Sequence, residues 1–151
     1  MTQLTTYGGV DSDVYWDSPP DWSPAGKQII FSMASSSKDE VFQRQIFLRN
    51  ESGDIRRLWV DSQWQDENPV WSPDGRQFAF LSRRSGDGEI WLYSIDSGKF
   101  TQLTTRESDG SLVSYGKASL AWSPDGQKLY FTAREYGGSS TSSLFVLEVA
   151  H

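Results

Sequence analysis

The chain has 151 residues, a formal charge of −6 and no cysteine, with 13 glycines and 7 tryptophans. That length is enough for one core without covalent staples, and the missing thiols exclude disulfides and thiolate metal sites. An acidic balance, with a pI of about 4.7, gives no general attraction for nucleic acid or an anionic membrane surface, and no apolar run approaches membrane-spanning length.

At the N-terminus, Met1 to Thr6 has neither a basic nor an apolar leader segment. The expectation is therefore no signal peptide in this chain, which reads as cytoplasmic as it stands and periplasmic only if a leader was removed. Thr2-Gln3-Leu4-Thr5-Thr6 is repeated residue for residue at Thr101-Gln102-Leu103-Thr104-Thr105. It reads as a fourth strand without a unit of its own. The first unit, residues 7–60, carries Trp22-Ser23-Pro24-Ala25-Gly26, apolar Ile29 and Phe31, and a strand over Gln45 to Leu48.

The second unit, residues 61–105, is the clearest. Pro69 to Ser72 begins a strand, and Ser72-Pro73-Asp74-Gly75 fits a type I turn, with Pro pre-setting φ and the Ser side chain in reach of the turn backbone. Gln77 to Ser82 is apolar on both faces, so it predicts a strand buried on both. Glu89 to Ile95 predicts a third strand, Asp96-Ser97-Gly98-Lys99 a tight turn, and Phe100 to Thr104 an edge strand. The third unit, residues 106–151, repeats the turn at Trp122-Ser123-Pro124-Asp125-Gly126 and ends on a strand over Leu144 to Val149, with no fourth strand of its own.

Trp22, Trp71 and Trp122 recur 49 and 51 positions apart. Four-stranded antiparallel units at that period are the blades of a β-propeller, and the four-strand count favours this over an open solenoid. The expected fold is all-β: one domain over 1–151 with three four-stranded blades, the third lacking its outer strand. Three blades do not readily close a ring, and two open apolar faces exceed what a soluble monomer tolerates. The expected repair is a homodimer of six blades, in which residues 1–6 of each chain complete the partner's third blade by strand exchange. An excised or engineered half of a longer propeller stays open as an alternative.

These residues resemble the TolB-type, WD-like propeller repeat. Unit two carries nearly all of its pattern: Pro69, Trp71 to Gly75, Phe78, Phe80, Ser82, Ile90, Trp91, Asp96, Gly98, Leu103 and Thr104. Unit one departs at Ala25, where Asp is expected, and at Leu58-Trp59; unit three has Leu120 in place of Pro. In that pattern the repeated Trp, Trp22 included, and Phe fill the blade stack and Ser-Pro-Asp-Gly makes the turn, and the resemblance implies a propeller that binds proteins or ligands. Some relatives instead gate a peptidase whose catalytic domain is a separate α/β-hydrolase.

The expectation is no enzyme, no catalytic residue and no cofactor. There is no Gly-x-Ser-x-Gly elbow, and the single histidine is the terminal His151. Asp11, Asp13, Asp17 and Asp21, with Asp66 and Glu67 at the matching place in unit two, raise the question of Ca²⁺. Their spacing does not follow an EF-hand, so solvated loop carboxylates are the favoured account and no metal site is assigned. Tight turns occupy one face of the blades and the long, variable loops the other. On that loop face the candidate binding residues are Tyr15, Trp16, Trp64, Arg83, Arg84, Tyr115, Arg134 and Tyr136, the residue types that dominate interface hot spots. Loop aromatics such as Trp16 and Trp64 that fold down over the blade tops are the competing account. The partners expected are a second copy of the chain and a protein, peptide or small-molecule ligand on the loop face.

Overall fold

The computed structural model describes residues 2, 18–35, 43–59, 64–86, 88–105, 112–113, 119–135 and 142–149. All regular structure among them is β-strand, in three antiparallel sheets. Sheet one holds β1 (Asp21–Trp22), β2 (Ile29–Ser35), β3 (Gln43–Arg49) and β4 (Ile55–Arg57). Sheet two holds β5 (Asp66–Trp71), β6 (Gln77–Ser82), β7 (Glu89–Ser94) and β8 (Phe100–Gln102). Both are meanders in strict sequence order. Sheet three runs β10 (Leu120–Trp122), β11 (Lys128–Glu135) and β12 (Ser142–Glu148), with β9 (Leu112–Val113) on the far end of the β11 edge that also pairs β10.

Strand β6 has the predicted bounds, with five of its six residues buried. It is buried on both faces because it lies between two interblade cores. Trp71, Phe78 and Phe80 of blade two meet Ile30, Ile46 and Leu48 of blade one. On the opposite face Ala79, Leu81, Ile90 and Leu92 meet Leu120, Leu129, Phe131 and Ala133 of blade three. Blade two thus presents one aromatic-rich face and one aliphatic face.

The Ser-Pro turns form as the residues dictate. Gly75 N–H donates to Ser72 O and Gly126 N–H to Ser123 O, both at 2.9 Å. Ser72 Oγ lies 2.6 Å from Asp74 Oδ1, which also accepts Arg76 N–H at 3.0 Å. Ser123 and Asp125 repeat this at 2.5 Å, with Gln127 N–H donating at 3.0 Å. Gly75 (φ 69°) and Gly126 (φ 73°) are left-handed, where a Cβ is strained. Successive turns also touch. A methyl group at Gly75 would lie 3.5 Å from Pro24 Cδ, and one at Gly126 would lie 3.8 Å from Pro73 Cδ.

Two expectations need correction. Strand β5 begins at Asp66, before the predicted Pro69, and bulges between Glu67 and Val70, with Asn68 left-handed at φ 54°. Trp22 does not fill a blade stack: it is 58% exposed, because no described residue packs a sheet against its side of blade one. The proposed closing strand over residues 1–6 lies outside the described residues, apart from Thr2. Among the described residues, nothing pairs with the outer edge of β12.

Candidate functional site

The loop end of blade two is built around an acidic residue at the start of the inner strand. Asp66 is wholly buried. Its Oδ2 accepts the Trp59 indole N–H at 2.6 Å, and Arg84 Nη2 donates to Oδ1 and Oδ2 at 3.1 and 3.2 Å. Arg84 Nε donates to Ser82 Oγ at 2.8 Å. The guanidinium carbon lies 4.1 Å from the Phe100 ring centroid and 5.0 Å from that of Phe80, within cation–π range of both. Trp59 packs in turn on Phe78, Phe80, Tyr93 and Phe100.

A carboxylate cannot be buried unless it is paired and hydrogen-bonded. Asp66 is both, and its partners come from the segment just after β4 of blade one and from the β6–β7 loop. Glu67 is also buried and accepts from Arg44 of blade one. Glu89 is buried against the Thr104 hydroxyl, which accepts Ile90 N–H at 2.9 Å. Asp66 and Glu67 are therefore not solvated loop carboxylates, as the sequence suggested. They tie neighbouring segments together. Among the described residues, no group of three or more His, Asp or Glu side chains is arranged to hold a metal ion.

Three candidate residues meet at this end of the blade. Arg83 N–H donates to Gln65 O at 3.1 Å, which brings Trp64 and the β6–β7 loop to one rim. Trp64 is 40% exposed and so does not fold fully down over the blade. Arg83 is half-buried, while Arg84 reaches inward. The backbone of Arg134 pairs with Val113 and Ser142, at the same end of blade three. Tyr15, Trp16, Tyr115 and Tyr136 lie outside the described residues. Sequence reasoning missed the role of Trp59. The available signal was its departure from the repeat, since Trp59 stands where unit two has Thr104.

The family model for the TolB beta propeller domain matches residues 3–143. TolB from Acinetobacter baumannii superposes with a TM-score of 0.67 at 23% identity, over 96% of this chain and 31% of that one. A protein assigned as TolB from Agrobacterium tumefaciens gives 0.65 at 24% identity, over 96% and 47%. The propeller domain of the Trilobed protease from Pyrococcus furiosus gives 0.61 at 17% identity, over 88% and 39%. This chain therefore spans less than half the length of each, and at these identities the likeness concerns the fold alone. No curated protein matches the chain in sequence.

Proposed function

This chain belongs to the TolB beta propeller family, and on that premise we propose that it is a non-catalytic binding or scaffold module, completed to a six-bladed ring by a second copy. The observation that carries the binding role is the division of labour at the loop end of blade two. The buried carboxylates and Arg84 are spent on internal structure, while Trp64 stays 40% exposed on the rim that Arg83 also reaches. Trp and Arg are among the residue types enriched at interface hot spots, and loops on a scaffold are where such residues are used. The ligand class this favours is a protein or peptide with acidic and apolar groups.

A second reading takes its support from the likeness to a protease propeller domain: a gate or substrate-binding domain whose catalytic domain is separate. One experiment separates the two. Labelled wild-type chain is compared with Trp64→Ala and Arg83→Ala for binding to an acidic peptide library, and for hydrolysis of generic ester and peptide substrates. Binding that falls about tenfold or more in either variant, with no hydrolysis, supports the binding module. Equal binding by all three overturns the assignment to this rim, and hydrolysis by the purified chain overturns the non-catalytic reading.

A further inference from the structure

The two internal blade junctions share a proline–glycine contact at the turns and link the same positions of the inner strands, and the outer faces of blades one and three hold the unused halves of a third. At the turns, the proline of one blade seats on the glycine of the next: Pro24 near Gly75, then Pro73 near Gly126. Pro124 is exposed, and an added methyl at Gly26 would meet nothing within 4 Å. At the inner strands, the tryptophan of one blade takes hold of the residue before the tryptophan of the preceding blade. The bonds themselves differ: the Trp122 indole Nε1 donates to Val70 O at 3.2 Å, whereas it is the backbone N–H of Trp71 that donates to Asp21 Oδ2, at 2.7 Å. The third members are Trp22, 58% exposed, and Ala121, also exposed.

The remaining surfaces match in kind. The open side of blade three carries Tyr130 (37% exposed), Leu144 (70%) and Val146 (51%), at the register positions of Ala79, Ile90 and Leu92 in the aliphatic face of blade two. The outward side of blade one carries exposed Trp22, with half-buried Phe31 stacked on Phe47, itself buried, corresponding in register to the aromatic face of blade two. Both internal junctions set one such face against the other.

We propose that the outer face of blade one docks on the outer face of blade three of a second copy. Trp22 seats its indole N–H on the partner's Ala121 carbonyl, and Gly26 receives the partner's Pro124. Ala121 resembles Val70 and not Asp21 in having no side-chain acceptor, so its carbonyl is the group on offer. Three blades of a six-bladed ring span half the circle, so a two-fold rotation brings both pairs of faces together at once. This deepens the ring closure proposed above and adds a face contact independent of strand exchange by residues 1–6.

The test is sedimentation velocity on wild type, Trp22→Glu, Val146→Arg and the surface control Thr101→Arg, each checked for an unchanged far-ultraviolet spectrum. The expected result is a dimer for wild type and control, and a dimer dissociation constant raised about 100-fold or more by either face variant. Mixing Trp22→Glu with Val146→Arg restores dimer in part, since one of the two junctions is then intact. Dimers that persist in either face variant overturn this docking while leaving strand exchange and the ring in place. A monomeric wild type overturns both.

Discussion

Replacing Asp66 or Arg84 tests whether the loop end of blade two is held by its buried ion pair. Asp66 is wholly buried and the Arg84 side chain is 13% exposed. Removing either partner leaves a charge in a site lined by Phe80, Trp91 and Phe100. Breaking a buried pair in this way costs about 3–5 kcal/mol. For a domain of this length that corresponds to a fall in Tm of roughly 6–20 °C. Asp66→Ala and Arg84→Met are each expected in that range. Asp66→Asn is expected to lose less, because its amide oxygen still accepts from Trp59. The double variant Asp66→Asn/Arg84→Met removes both charges and is expected to fall short of the sum of its singles by about 1–3 kcal/mol. The assay is urea unfolding followed by tryptophan fluorescence, at one fixed chain concentration because dimerisation adds to apparent stability. Single losses below about 0.5 kcal/mol, or additivity within that margin, would show that the ion pair does not hold this end of the blade. A loss of ligand binding in Arg84→Met with unchanged stability would return Arg84 to the ligand-contacting surface.

Two further outcomes concern the turns. Ala25 stands where the other copies have Asp74 and Asp125, so Ala25→Asp is expected to complete the Ser-x-Asp hydrogen bonds of the first turn and to stabilise by about 1 kcal/mol in thermal melting. Hydrogen bonds from Ser72 and the Arg76 N–H hold the Asp74 carboxyl below its ordinary value of 3.8, and Ser123 and the Gln127 N–H do the same for Asp125. A carboxyl lowered on folding contributes stability above its unfolded value, and that contribution is lost as pH falls through the folded value. Stability attributable to these turns is therefore expected to be full near neutrality and to fade below pH 3.8. The double variant Asp74→Asn/Asp125→Asn is expected to show a shallower acid limb in melting temperature against pH.

Local chemistry made most of the blades legible. Gln77 to Ser82 could be placed because nothing polar interrupts either face, and the Ser-Pro-Asp-Gly turns because each residue has its own reason to be there. The start of β5 was not legible. Asp66-Glu67-Asn68 has the composition of a loop, and the partners that bury its carboxylates, Trp59, Arg84 and Arg44, come from other segments. Long-range pairing overrode local preference, as it also does for Glu89 against Thr104. Of the candidate site, Trp64 and Arg83 lie at one rim, joined through the Arg83 N–H to Gln65 O bond. The inward turn of Arg84 was beyond sequence reasoning, because whether a loop arginine meets water or a buried carboxylate depends on where that carboxylate lies. Trp22 was misjudged for a related reason: its two repeats are covered by a preceding blade, and it has none among the described residues.

Sedimentation equilibrium on the wild-type chain asks whether two copies close one ring. A closed ring of two copies gives a single species at twice the chain mass of 17.1 kDa, independent of loading concentration in the micromolar range and above. A species at the single-chain mass across that range would contradict it.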